Sequence, residues 1–94
     1  MTDLLFEWDD HKESINIKKH GINFTTASRV FLDPNRIERY DSLHSSYFED
    51  RYNTIGKVND ILFVVYTDRA DSIRIISARI ASREEKEAYE YGIY

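Results

Sequence analysis

The chain has 94 residues, of which 41% are hydrophobic and 32% charged, a composition typical of one globular domain over residues 1–94. The absence of cysteine excludes disulfides and thiolate metal sites and favours a reducing compartment, the cytoplasm. A net charge of −4 argues against a protein that binds nucleic acid over its whole surface. The excess acid is C-terminal, because residues 1–83 hold thirteen acids and twelve bases, and this leaves room for a local basic cleft.

The N-terminal part of the chain predicts a short strand followed by a helix. Residues 4–8 are apolar enough for a strand. Asp9 and Asp10 are both candidates for the helix N-cap, and Asp10 with Glu13 fits a capping box. The first residues have no basic segment of the kind that opens a secretory signal, so we expect a cytoplasmic protein. The longest apolar run, residues 61–66, is too short to cross a bilayer, and no membrane contact is expected.

A second helix follows the first almost at once. The first helix is expected to end at His20, because Gly21 suits the left-handed position after a helix. Asn23 can cap the next helix, in which apolar residues recur at helical spacing until Asp33-Pro34 ends it.

The remainder of the chain predicts four strands and a last helix. The strands are residues 36–41, 51–57, 61–67 and 73–80. Ser82 and Glu85 form a capping box for the last helix. The order is β-α-α-β-β-β-β-α, and short connections favour antiparallel pairing. We therefore expect an α+β fold, with an antiparallel sheet and helices packed on one face.

Familiar catalytic motifs are missing from the sequence. His11, His20 and His44 are not spaced as metal ligands, and the chain has no HExxH pattern, glycine-rich phosphate loop or GxSxG elbow. We expect neither a metal nor a cofactor. An enzyme built from these residues would use acid–base and electrostatic catalysis.

One reaction that needs only acid–base and electrostatic catalysis is RNA cleavage, in which a 2′-hydroxyl attacks the adjacent phosphate. The reaction needs groups that move two protons and cations that stabilise the charged phosphorane. Arginine matches two phosphate oxygens at once, and the candidates are Arg51, Arg69 and Arg79. Arg51 and Arg69 are also explained as solvated charges at strand ends. Strict alternation places Arg79 on the face of residues 73, 75 and 77, where a structural ion pair with Glu85 is the alternative.

His20 and Lys19 are candidates for proton transfer, since histidine titrates near neutral pH. The alternative is that both only satisfy carbonyls at the end of a helix. Tyr66 lies near Arg69 in sequence and is a candidate for stacking on an RNA base, although tyrosines more often cover a core.

In order and spacing, the following segments resemble those of the BrnT family of toxins from bacterial type II toxin–antitoxin systems. They are Phe6-Glu7-Trp8-Asp9, Asn16, Lys19-His20-Gly21-Ile22 with Phe24, Glu49-Asp50-Arg51 with Ile55-Gly56, Val64-Val65-Tyr66-Thr67 with Arg69, and Arg74-Ile75-Ile76-Ser77-Ala78-Arg79 with Ala81, Glu85 and Tyr89. The resemblance covers nearly the whole chain.

The resemblance implies a RelE/ParE-like fold and an RNA-cleaving activity that inhibits translation. It implies neutralisation by a cognate BrnA-type antitoxin with a DNA-binding domain, through which the complex represses its own promoter. The basic and titratable positions of the family correspond to Lys19, His20, Arg51, Arg69 and Arg79.

A second hypothesis belongs to another functional class. The chain could be a catalytically weak interaction module that acts in antitoxin docking and promoter autoregulation. The acidic net charge favours this interpretation, as does the absence of a clear general base.

Overall fold

The computed structural model describes residues 5–94, and residue 4 of the predicted first strand lies outside this range. The first half of the chain comprises β1 (Phe6–Glu7), α1 (Asp10–His20), α2 (Phe24–Ser28) and a 3₁₀ turn (Arg29–Leu32). The second half comprises β2 (Ile37–Tyr40), β3 (Arg51–Val58), β4 (Asp60–Arg69), β5 (Ser72–Ile80) and α3 (Arg83–Tyr91). The predicted element order is confirmed. No helix in residues 5–94 is both long and apolar enough to span a membrane.

The five strands form one sheet in the order β1-β5-β4-β3-β2. Strands β2 to β5 pair antiparallel with their neighbours, as predicted. The edge strand β1 pairs parallel to β5, with Phe6 opposite Ile73, so the sheet is mixed and the prediction of a wholly antiparallel sheet is wrong. A parallel pair needs a long crossover. Here the rest of the domain supplies it.

Helices cover both faces of the sheet, and the prediction that they pack on one face is wrong. The α2 face carries Val64 and Ala78, which form the main core with Phe24 of α2. The α3 face carries Phe63 and Arg79, and α3 packs there. Residues 53–56 of β3 are all buried. Because alternate residues point to opposite faces, a strand with such a run needs cover on both sides.

A β-bulge in β5 shifts which residues share a face. The register slips between Val65 and Tyr66, so Val65 is opposite Ser77 whereas Tyr66 is opposite Ile75. Ile75 therefore faces α2, while Ser77 and Arg79 face α3. Strict alternation in the sequence predicts that Ile75, Ser77 and Arg79 lie on one face. That prediction is wrong because a bulge inserts one extra residue into a strand.

The ends of α1 are fixed by side chains. Asp9 is the N-cap and accepts a hydrogen bond from the Lys12 N–H at 2.9 Å. The predicted capping box of Asp10 and Glu13 does not form, because the Glu13 carboxylate accepts from the Phe24 N–H instead, at 2.8 Å. This bond joins α1 to the first residue of α2.

Asn16 is the buried polar residue that ties α1 to the sheet. Its side-chain Nδ2 donates to the carbonyl oxygens of Ile22 and Ala78, both at 2.9 Å. Its Oδ1 accepts from the Ala78 N–H at 3.1 Å. At Ala78, β5 has no strand neighbour on the side away from β4. The amide of Asn16 takes the place of a partner strand at this position.

Replacement of Asn16 by alanine should lower the free energy of unfolding by about 2–3 kcal/mol, because buried backbone groups lose their partners. Urea denaturation measures this loss. The exposed Ser14 of the same helix supplies the control, and Ser14→Ala should change stability by no more than about 0.5 kcal/mol. Equal stabilities of the two variants would contradict the role given to Asn16.

Candidate functional site

Three arginines meet on the α3 face at the end of the sheet where β3 begins and β4 ends. Arg51 is opposite Thr67, and Thr67 is in turn opposite Arg74 of β5, so their side chains share one face. Arg69 lies two residues beyond Thr67 and points the same way. We call Arg51, Arg69 and Arg74 the arginine cluster. Antiparallel pairing creates it, because the first residue of one strand meets the last residues of the next.

Two carboxylates orient the arginine cluster. Arg69 Nε and Arg74 Nη1 lie 3.4 and 3.6 Å from Oε1 of Glu7. Arg51 Nε donates to Glu49 Oε1 at 2.9 Å. This hydrogen bond is the main reason that the pKa of Glu49 lies below its usual value. Three guanidinium groups thus share two carboxylates and remain partly exposed.

A cleft of about 440 Å³ opens beside the arginine cluster. We call it the end cleft, and its lining residues are Phe48, Glu49, Asp50, Thr67, Asp68 and Arg69. Thr67 is only 3% exposed, and its hydroxyl has no hydrogen-bond partner among residues 5–94. Buried hydroxyls are nearly always paired, so an unpaired one beside three arginines is unusual. Within the same residues no group of three His, Asp or Glu side chains is arranged to hold a metal ion.

Lys19 and His20 line a second, smaller pocket between α1 and the edge of β5. This α1 pocket has a volume of about 200 Å³, and Lys12 and Ser77 also line it. The charge of Lys12 contributes to the lowered pKa of Glu49, so Lys12 acts on a residue of the end cleft as well. Lys12 thus lines the α1 pocket, and its charge also reaches Glu49 of the end cleft.

Arg79 is separate from the arginine cluster. It is opposite Phe63, four residues before Thr67 on β4, which corresponds to about 13 Å along the strand. Its guanidinium donates to both carboxylate oxygens of Glu85, at 2.7 and 2.9 Å, and lies 4.1 Å from the centre of the Phe63 ring. The ion pair with Glu85, which the sequence left as an alternative, is present.

Tyr66 lies in the core and not at the end cleft. It is 5% exposed, and its ring packs edge-on against Phe31 at 5.0 Å and stacks on Tyr52 at 5.6 Å. Burial raises the pKa of its hydroxyl. Since Tyr66 points to the α2 face, the structure does not bring it together with Arg69.

The family model of BrnT, described as the ribonuclease toxin of a type II toxin–antitoxin system, matches residues 8–85. The chain belongs to the BrnT family. It is similar in structure to the ribonuclease toxin BrnT of Brucella abortus, solved at 1.1 Å resolution, with a TM-score of 0.64 and 27% sequence identity. The similarity covers 86% of this chain and 100% of that one. No curated protein matches the chain.

Membership of the BrnT family confirms the resemblance seen in the sequence and the α+β architecture. Two basic residues of the pockets described above carry no separate signal in the sequence. Arg74 joins Arg51 only because of the strand register, which the bulge in β5 alters. Lys12 is an ordinary exposed helix residue until α1 is placed against β5.

The ion pair of Arg79 and Glu85 should make stability depend on pH. Burial alone would raise the pKa of Glu85, but hydrogen bonds from the Arg79 guanidinium and the Ser82 N–H outweigh it and lower the pKa. A carboxyl group with a lowered folded-state pKa stabilises the fold fully above its unfolded value of about 4.5, and this stabilisation is lost as pH falls through the folded value.

In Glu85→Gln this contribution is absent, so its free energy of unfolding should fall less steeply below pH 4.5 than that of the wild type. Denaturation at a series of pH values between 2 and 7 measures the slopes. Glu84→Gln, at an exposed position in the same helical turn, should retain the wild-type slope. Parallel curves for all three proteins would contradict the assignment.

Proposed function

We propose that this BrnT family member is a metal-independent endoribonuclease whose substrate phosphate binds at the arginine cluster. The observation that carries the proposal is the convergence of Arg51, Arg69 and Arg74 around Thr67 on one face of the sheet. Guanidinium groups suit this task because they stay charged and hold two phosphate oxygens in fixed geometry. The family description as a ribonuclease toxin supports the same reaction class.

In the proposed reaction the 2′-oxygen of RNA attacks the adjacent phosphorus, and the bond from phosphorus to the 5′-oxygen breaks. A base removes the 2′ proton and an acid protonates the departing 5′-oxygen, which yields a 2′,3′-cyclic phosphate and a 5′-hydroxyl. Negative charge accumulates on the phosphorane oxygens. Arg51 and Arg69 stabilise that charge, with Arg74 beside them.

Lys19 and His20 are the proposed proton-transfer groups. Both line the α1 pocket together with Lys12, whose charge also helps to lower the pKa of Glu49 in the end cleft. A strand of RNA bound along this surface would contact the arginine cluster and the end of α1 together. His20 suits the role because an imidazole can both accept and donate a proton.

Arg79 has a structural role in this proposal. Its guanidinium is held by both oxygens of Glu85 and stacks over Phe63, so it anchors α3 to the sheet. Tyr66 is left out of the proposed RNA contacts because its ring is enclosed in the core.

The setting of this activity is part of the proposal. The toxin acts in the cytoplasm, has a RelE/ParE-like fold, inhibits translation by cleaving RNA and is neutralised by a BrnA-type antitoxin. The complex reaches promoter DNA only through the antitoxin. The description of the family as part of a type II toxin–antitoxin system supports an antitoxin partner.

A second candidate function is a catalytically weak module for antitoxin docking and promoter autoregulation. Two observations favour it. The chain has a net charge of −4, and the arginines of the cluster are paired with Glu7 and Glu49, which RNA phosphates would have to displace. The two candidates differ in whether RNA is bound and cut.

Replacement of Arg51 or Arg69 by alanine should lower the rate of RNA cleavage about a hundredfold, because a donor to the transition-state charge is lost. Growth arrest on induced expression should be relieved in parallel. Growth is followed after induction, and cleavage is followed as the integrity of total RNA in the same cultures. Circular dichroism of the purified variants shows whether they fold. Arg83→Ala, at a highly exposed position on α3, should cleave and arrest growth as the wild type does. Full toxicity of folded Arg51→Ala and Arg69→Ala would support the docking module instead.

RNA affinity should fall steeply as salt concentration rises. A plot of log affinity against log salt concentration should become shallower by about 0.7 for each phosphate contact with a single strand that is removed. The measurement is a titration of a short 2′-O-methylated oligonucleotide, which lacks the nucleophile, at several salt concentrations. Arg51→Ala should make this plot shallower and Arg83→Ala should not.

Cleavage of the unmodified RNA should persist in EDTA. Loss of cleavage in EDTA that added magnesium restores would contradict metal independence.

A further inference from the structure

Two aromatic side chains stand exposed in the loop that leads into β3. Tyr47 is 96% exposed and Phe48 is 92% exposed, and their rings meet edge to face at 5.1 Å. Large aromatic rings contribute most when they are buried, so an adjacent pair in solvent is costly unless something binds it. Both rings lie within four residues of Arg51 in the sequence.

Phe48 also lines the end cleft together with Thr67 and Arg69. Phe48 and the arginine that we propose as a phosphate ligand therefore line one concave surface. At about 440 Å³, the end cleft is within the range of sites that hold small ligands. A nucleotide has the matching form, with a flat base attached through its sugar to a charged phosphate.

We infer that Phe48 binds a base of single-stranded RNA by stacking, while Arg69 and Arg51 hold the neighbouring phosphate. This inference rests on the proposed ribonuclease function and extends it to the substrate class, which is RNA with an unstacked base. A base within a duplex already has stacking partners on both sides, so it cannot offer a face to Phe48. Tyr47 supports the Phe48 ring from its edge.

The carboxylates of the end cleft are compatible with a nucleotide. Glu49 is engaged by the Arg51 guanidinium, and an oxygen of Asp50 accepts a hydrogen bond from the Tyr40 hydroxyl. Asp68 also lines the end cleft, but it is opposite Ile73, so alternation directs its side chain away from the face that carries Arg69. A polar cleft with an arginine beside an exposed ring favours RNA over an apolar protein segment.

The test compares four proteins in binding to a single-stranded, fully 2′-O-methylated oligonucleotide and to a hairpin of the same composition. Phe48→Ala should weaken binding of the single strand about tenfold, the loss typical of one stacked base. Phe48→Trp should restore it, because indole also stacks. Leu43→Ala removes another highly exposed apolar side chain of the same loop and should bind as the wild type does. None of these substitutions should alter the salt slope, since no phosphate contact changes.

Phe48→Trp gives a second readout, because indole fluorescence at residue 48 should be quenched when a base stacks on it, with Trp8 as the background in the wild type. Unchanged affinity of folded Phe48→Ala, in a protein whose RNA binding still depends on Arg51, would overturn the stacking inference alone. Loss of affinity for the cognate antitoxin without loss for RNA would assign the aromatic pair to protein docking and also overturn it. If wild type binds no RNA, the proposed function itself fails.

Discussion

The three hydrogen bonds of Asn16 are the constraint on which the other elements depend. They join α1, the turn into α2 and the open edge of β5 through one buried amide. An amide can do this because one short side chain carries both donors and an acceptor. An ionised carboxylate only accepts hydrogen bonds, so it could not bind the two carbonyl oxygens. With α1 held in this way, Lys12, Lys19 and His20 are set beside Ser77. The position of half the proposed site thus follows from a residue that has no part in the chemistry.

Helix α3 covers only part of the α3 face of the sheet, and the rest is exposed to solvent. Its inner part is closed by α3, which Arg79–Glu85 and the hydrogen bonds from Tyr89 to Asp33 and from Tyr94 to Asn53 hold in place. Its outer part carries the arginine cluster and is open to solvent. The sheet therefore supplies a rigid platform for charged side chains without burying them, and this combination favours precise positioning of a phosphate.

Local features were predictable from the sequence and pairing was not. Gly21, Asn23 and the Ser82–Glu85 capping box act within a few residues, and each lies where the pattern predicted. The parallel edge, the cover on both faces and the bulge depend on partners distant in sequence. The same distinction applies to the site. Basic residues at strand ends were recognisable as candidates, but only the register shows that Arg74 joins Arg51 and that Tyr66 points away from Arg69.

Helix α3 is attached to the sheet through side chains alone, so its local stability is lower than that of the sheet. No residue of α3 is fully buried, whereas β3, β4 and β5 each contain fully buried positions. Opening of α3 as a unit therefore costs less free energy than unfolding the sheet, and its amides should exchange with solvent sooner than those of the central strands. Such an opening would release Glu85 from Arg79 while the strand register that builds the arginine cluster remained intact.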